Sequence, residues 1–397
     1  MGIEFNSGQI KAIYAAEDWW KNSNEQVFEI SGAAGTGKTT LVKYIIERLG
    51  IGLENTAFVA YMGKAAMQMA RNGLPARTIH SFIYDCVQEP VFDENGKPVF
   101  SSAGYQKRKL KFELKEREEI SENIELIVVD EASMVSKEIA EDLLSFDIPV
   151  IAMGDLNQLD PVFGSSYFLV NPDVILTEIM RQAEDSPIIY LSQEILNNRP
   201  LRVGQYGNCS VIKKSEFNTM MLKDIDIALT GTNKLRYVIN DLYRTEIAKC
   251  KRLDIPCVGE KIICRRNNWN KSIKTKGDEY FLVNGIAGTV EYVDISSYNG
   301  KKIDIDFKPD FLPRSFKNLS IDYKHMYAEY GTPEYDAVNL GLNPFEFAYA
   351  ITVHLSQGSQ YDNVLLFSER GTFDNTAFKK LMYTGITRAK EKITILI

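Results

Sequence analysis

The chain has 397 residues, 45% of them apolar and 25% charged, with a formal net charge of −7 at pH 7. That length predicts two or three globular domains with a sizeable core. The acidic balance argues against a protein that coats duplex nucleic acid through bulk charge. No apolar run reaches the roughly 18 residues of a membrane span. The first twenty residues lack a basic segment leading into an apolar one, so a cytoplasmic protein is expected. Any contact with nucleic acid falls to local basic clusters (residues 107–111, 265–266 and 271–276) or to stacking in a groove. The five cysteines, Cys86, Cys209, Cys250, Cys257 and Cys264, form no CxxC pair. The last three are spaced by seven, which is not zinc spacing, so reduced thiols are expected and no structural metal.

In chain order, residues 26–31 predict a strand, 39–49 a helix, 56–62 a strand and 64–71 a helix. This alternation belongs to a parallel sheet. Between the first strand and helix, Gly32, Ala33, Ala34, Gly35, Thr36, Gly37, Lys38 and Thr39 fit G-x-x-x-x-G-K-[ST], with Thr40 following. Glycines let backbone N–H groups turn onto phosphate oxygens, and the helix N-terminus adds its dipole. Lys38 neutralises phosphate charge, and the Thr39 hydroxyl suits Mg²⁺. A strand at 124–129 then ends in Asp130 and Glu131. Asp130 can hold Mg²⁺ through water, and Glu131 can orient and deprotonate an attacking water. These features predict hydrolysis of a nucleoside triphosphate.

Residues 86–123 break the rhythm. "VFDENGKPVF" (91–100) carries Asn95-Gly96 between short apolar ends, a strong hairpin signal. The charge-dense "QKRKLKFELKEREE" after it is read as helical. Further strands are predicted at 149–153 and 174–176. A second alternating block has strands at 225–229, 349–353, 363–367 and 392–397, with a helix at 376–387. Residues 259–344, rich in glycine, aromatics and β-branched residues, read as a small β subdomain.

The remaining motifs resemble a family. "AMGDLNQLDPV" (152–162), "LTEIMRQ" (176–182), "YAITVHLSQGSQYDNV" (349–364) and "LMYTGITRAKEKI" (381–393) follow the phosphate loop and "VVDEAS" in order. This set resembles superfamily 1 helicases, in particular the RecD-like and Dda-like group that moves 5′ to 3′ on single-stranded DNA.

The resemblance implies an α/β fold of two RecA-like P-loop domains with parallel sheets. The first would comprise 1–85 and 121–185, with a hairpin insert at 86–120. The second would comprise 186–258 and 345–397, with the β-rich insert at 259–344. It implies ATP as substrate with Mg²⁺, and a γ-phosphate environment of Gln158, Arg181, Gln182 and Arg388, with Asp155 fixing its loop. Gln9 would meet the adenine edge, and Gln360 stands where a ribose-facing glutamate is common. Lys64, Thr78, His80, Thr352, His354, Ser356 and Gln357 would contact DNA. Phe92 or Phe100 of the hairpin would stack where strands part. Arg265 and Arg266 face either DNA or solvent.

The sequence departs from the group at Met62 and Gly63, where Pro-Thr is common, and at Leu355, where lysine is common. The implied partners are single-stranded DNA, forked or tailed duplexes, and proteins of replication or recombination. The motor subunit of an ATP-dependent nuclease, an ATP-driven clamp that never unwinds, and an RNA substrate remain open.

Overall fold

The computed structural model describes residues 5–90, 92, 96–98, 108–120, 122–160, 166–178, 186–250, 255–275, 278–297, 302–327 and 342–397. By its contacts the chain divides into two compact units. One comprises Met1–Ile83, Glu116–Thr232 and Ile351–Ile397; the other comprises Tyr84–Lys115 and Asn233–Ala350.

The chain opens with helix α1 (Ser7–Asn22), which starts on a capping box. The Asn6 side chain accepts from Gln9 N at 2.8 Å, and Gln9 Oε1 accepts from Asn6 N at 3.1 Å. Such a cap contributes about 1 kcal/mol. Strand β1 (Val27–Gly32), helix α2 (Lys38–Leu49), β2 (Thr56–Ala60), helix α3 (Gly63–Arg71), β3 (Ala76–Thr78) and the short helix α4 (Ile79–Ile83) follow. The chain then runs through the hairpin β4 (Tyr84–Pro90) and β5 (Arg108–Leu114) of the other unit. It returns as β6 (Leu126–Asp130), β7 (Val150–Gly154) and β8 (Val174–Leu176).

The first sheet has the order β3-β2-β6-β7-β1-β8, and every pairing in it is parallel. Strands β2 and β7 are buried along their whole length, as expected of a parallel sheet covered on both faces. Phe28, Ile30, Leu41, Ile45, Phe58, Val128, Ile151 and Met153 join in one core. Because β6, β7 and β1 are parallel neighbours, their C-terminal residues Asp130, Gly154 and Gly32 reach the same sheet edge, where ligands of open α/β sheets bind.

The second sheet begins with β9 (Gly204–Tyr206), β10 (Cys209–Ile212) and β11 (Ile227–Thr230). After the other unit's strands the chain completes it with β19 (Ala350–Thr352), β20 (Tyr361–Phe367) and β21 (Ala389–Leu396), in the order β19-β11-β20-β21-β10-β9. Strands β11, β20, β21 and β10 pair in parallel, and β9 is antiparallel. The helix Asn375–Ile386 links β20 to β21 and is capped by Asp374, which accepts from Ala377 N at 2.8 Å.

In the other unit, β12 (Lys261–Cys264), β15 (Ala287–Asp294), β16 (Lys302–Pro309), β17 (Phe316–Asp322) and β18 (Asn343–Phe347) close into a barrel. Strands β13 (Asn268–Thr275) and β14 (Asp278–Leu282) pair as a hairpin. Alternate residues of β16 point inward, with Ile303, Ile305 and Phe307 fully buried. The helix Asn233–Leu242 supplies Arg236, whose guanidinium makes a two-pronged ion pair with buried Glu346. Arg265 Nε adds a third contact to Glu346 at 3.1 Å.

The charge-dense segment expected to be helical is instead strand β5. It pairs along its whole length with β4, from Tyr84↔Leu114 to Pro90↔Arg108. Its charges are met across and along the ladder, with Lys111 at 3.0 Å from both Glu89 and Glu113. The expected turn lies beyond this ladder, where Phe92 bridges Pro98. Gly96 there adopts φ +75°, which favours glycine. Among the described residues no helix is long and apolar enough to cross a membrane.

Candidate active site

The phosphate loop joins β1 to α2. Gly35 and Gly37 adopt φ of +83° and +78°, conformations in which a side chain is strained. Thr36 is fully buried and closes the turn by donating from Oγ1 to Ala33 O at 2.8 Å. Gly37 caps α2 without a side-chain bond, which leaves first-turn N–H groups for an anion. Lys38 Nζ donates to Gly32 O and Ala33 O, so its charge lies over the loop. Thr39 is half-buried on the first turn of α2, and Thr40 is exposed.

Gln9 is buried behind the loop, and its Nε2 donates to Thr36 O at 2.9 Å. Both ends of its amide are therefore engaged by backbone.

Asp130 Oδ1 accepts from Glu131 N at 2.9 Å, and Glu131 holds φ +53°. Burial pushes both carboxyls above their ordinary range. The neighbouring Asp130 adds to the rise at Glu131, while Arg388 and Lys38 oppose it. Buried acidic groups beside a loop rich in free N–H groups suit a cation and a polarised water.

The segment after β7 supplies the other wall. Asp155 is 1% exposed; its Oδ1 accepts from Asn157 N at 3.0 Å, and its carbonyl accepts from Gln158 N at 3.1 Å. Leu156 N donates to Ser31 Oγ at 3.3 Å. Gln158 is buried, and its Oε1 has no hydrogen-bond partner. Two segments that flank β20 grip this segment. Leu159 N donates to Thr384 Oγ1 and Gln357 Nε2 donates to Leu159 O, each at 3.0 Å. Arg388 is 4% exposed. It donates to Thr384 O at 3.1 Å, Ser359 O at 3.2 Å and Thr387 Oγ1 at 3.2 Å. These bonds hold a cation within electrostatic reach of Glu131.

The structure therefore brings together the phosphate loop, Gln9, Asp130, Glu131, Gln158 and Arg388. Arg181, Gln182 and Phe100 lie outside the described residues. Gln360 is exposed. The sequence reading missed Tyr383, Thr384 and Ser31. The signal for the first two was present, since they stand five and four residues before Arg388, near the end of the helix that leads into it.

The proposed DNA contacts separate into two groups. Thr78 Oγ1 accepts from Ser81 N at 3.2 Å at the start of α4. His80 lies edge-on to Tyr61 at 5.9 Å, and His354 stacks on Phe373 at 6.1 Å. Burial lowers the pKa of both imidazoles, so each is neutral near pH 7. Thr352 Oγ1 accepts from Leu355 N at 3.3 Å. Lys64 lies 4.8 Å from the ring centroid of Tyr361 and 3.4 Å from its hydroxyl. All five are half-buried and retain some exposed surface.

Ser356 and Gln357 do not. Ser356 is fully buried and bonds Val353 O at 2.7 Å, while Gln357 is 1% exposed and holds Leu159. Their burial corrects the expectation that they face a DNA strand. Arg265 and Arg266 are likewise engaged within their own unit, by Glu346 and by Leu342 O.

Cys250, Cys257 and Glu260 place ligand atoms within 4.8 Å of one another. The Glu260 carboxylate, however, is taken by Arg244, by Cys257 N at 2.7 Å and by Cys250 Sγ at 3.2 Å. Burial and that contact push the Cys250 thiol up to about 12.

A family model described as an AAA domain matches residues 4–216, more than half of the chain, and one described as a UvrD-like helicase C-terminal domain matches residues 347–396. The chain belongs to the Pif1/RecD-like helicases of superfamily 1. It is 24% identical to the ATP-dependent DNA helicase Pif1 of Campylobacter jejuni, over 93% of this chain and 88% of that protein. It is 25% identical to an uncharacterised protein of Methanocaldococcus jannaschii over 93% of this chain but only 36% of that protein. A crystal structure of Bacteroides Pif1 helicase in complex with ADP-AlF3 and single-stranded DNA matches with a TM-score of 0.54 at 18% identity, covering 99% of this chain and 92% of that one. That likeness supports the two-sheet α/β fold of the family.

Proposed function

We propose that the chain is an ATP-driven motor that moves 5′ to 3′ along single-stranded DNA and parts duplex ahead of it. The observation that carries this reading is that two cations, Lys38 of the phosphate loop and Arg388 just before β21, both act electrostatically on buried Glu131. A group that deprotonates water at a γ-phosphate works beside such cations, which stabilise the charge that develops in the transition state.

In this reading the loop N–H groups and Lys38 bind the β- and γ-phosphates, and Gln9 braces the loop near the adenine. Glu131 accepts the proton of the attacking water, Gln158 orients that water, and Arg388 stabilises the charge on the transferring phosphoryl group. Thr39 and Asp130 would hold Mg²⁺, which would offset phosphate charge when bound. Structures of Pif1 helicases at forked duplex DNA and bound to single-stranded DNA support the same partners here. Thr78, His80, Lys64, Thr352 and His354 offer hydroxyls, neutral imidazoles and one cation that suit backbone contact without sequence readout. The family resemblance supports the polarity and the strand separation of this reading. Phe92, 54% exposed, serves as the wedge.

The test is ATP hydrolysis by wild type and Lys38→Ala, with and without a single-stranded DNA oligonucleotide. A large DNA-dependent rise in wild type that Lys38→Ala lacks is expected. Hydrolysis indifferent to DNA and to RNA overturns the motor reading.

A further inference from the structure

Tyr383 has no place in the hydrolysis scheme above, yet it is 1% exposed with a fully engaged hydroxyl. Its Oη donates to Asp155 Oδ2 at 2.6 Å and accepts from Ala34 N at 3.2 Å. Ala34 is the third residue of the phosphate loop. Asp155 is the residue from which the Gln158 turn hangs, through Oδ1 and its carbonyl. One phenol oxygen thus joins three segments: the phosphate loop, the segment after β7, and the helix that leads into Arg388. Burial and Asp155 push the Tyr383 pKa up, so the proton stays on the phenol and the donor direction is fixed. The next residue, Thr384, accepts from Leu159 N, and Thr384 O accepts from Arg388. The same helix end therefore holds both ends of the 155–159 segment and the arginine.

We infer that Tyr383 is a positioning residue for ATP hydrolysis, its hydroxyl holding the phosphate loop and the Asp155–Gln158 turn in register with Arg388. The inference rests on the ATPase reading. Tyr383 touches no reacting atom and acts through Asp155 and Ala34. Its removal disturbs the placement of Gln158 and Arg388 around the attacking water more than the affinity of the loop for phosphate.

The experiment is steady-state hydrolysis at saturating single-stranded DNA for wild type, Tyr383→Phe, Asp155→Asn and the double variant, with the thermal midpoint of each. Absence of DNA-stimulated hydrolysis in wild type sinks the motor reading itself, before any variant is compared. Given that activity, Tyr383→Phe keeps the ring and loses the hydroxyl. Its kcat falls by about tenfold or more, as for loss of one hydrogen bond to a charged group, while KM for ATP changes by less than about twofold. The double variant is no slower than the slower single variant, because both remove one contact. A wild-type kcat in Tyr383→Phe overturns the inference, as does a double variant whose loss is the product of the two singles. If Tyr383→Phe does not fold, Asp155→Asn carries the test alone: a loss in KM rather than kcat overturns the inference.

Discussion

Gln9 Nε2 donates to Thr36 O at 2.9 Å across 27 residues of sequence, so the helix before the first strand is tied directly to the phosphate loop. The same side chain closes the cap of that helix through Asn6. Gln9→Ala removes both. The expected result is a rise of roughly fivefold in KM for ATP, matching a hydrogen bond of about 1 kcal/mol, together with a lower thermal midpoint. A KM equal to wild type separates Gln9 from the nucleotide and leaves it only the cap.

Glu131 and Asp130 are both held above the usual carboxylate range, first by burial. A carboxyl whose folded pKa is raised binds its proton more tightly in the native state. Stability is therefore lost as pH rises from the unfolded value, 4.5 for Glu131, through the folded one. Glu131→Gln is expected to unfold at a higher temperature than wild type at pH 8, with the gain vanishing below pH 4.5. Hydrolysis falls by about 10²–10⁴-fold, the scale of general-base catalysis. In wild type the acid limb of kcat lies above 4.5. Calorimetry and a pH–rate profile check both; a less stable Glu131→Gln at pH 8 contradicts the sign.

Arg388 is fixed by three hydrogen bonds that lysine cannot reproduce. Arg388→Lys and Arg388→Ala are both expected to lose kcat by roughly 10³-fold or more, as for other arginines at a transferring phosphoryl group. Nucleotide affinity, read by equilibrium binding of a fluorescent ATP analogue, changes much less. A lysine variant with normal turnover assigns the residue a purely Coulombic part.

Phe92 is 54% exposed beyond the β4–β5 ladder. Phe92→Ala is expected to slow unwinding of a tailed duplex while sparing ATPase on single-stranded DNA. Equal loss in both assays would remove the wedge assignment.

Glu346 is 1% exposed and faces Arg236 and Arg265. Glu346→Ala leaves Arg236 buried without its carboxylate, which costs about 3–5 kcal/mol. Hydrogen exchange in β12 and β18 should quicken while the phosphate-loop strands stay protected. Uniform protection across the barrel would show that packing alone holds it.

The nucleotide half of the site was legible because its chemistry is local. Strand β1, eight loop residues and α2 are contiguous, and Asp130-Glu131 ends a plain apolar strand. Long-range grips were not legible: Tyr383 meets Asp155 across 228 residues, and Gln357 meets Leu159 across 198. Motif position suggested that Ser356 and Gln357 face DNA, while packing turned both inward. The β5 strand was misread for a different reason. Its charge density suggested a solvated helix, but Lys109-Leu110-Lys111-Phe112-Glu113-Leu114 alternates strictly, a strand period.

The order of the second sheet also governs when it can assemble. Strand β10 has β9 on one side and β21 on the other, and Ser210 meets Thr394 across 184 residues. Until β21 arrives, the β9–β10 ribbon presents an unpaired edge, and a two-stranded ribbon is marginal in water. The cost of closing so long a loop precedes any reward from pairing. The first sheet also waits, β1 for β7 (Val27↔Val150) and for β8 (Ile30↔Val174), but all its strands precede β21 in the chain, so it can close before the segment bearing Arg388 arrives. During that interval the unpaired edge of β10 is open to pairing with another chain.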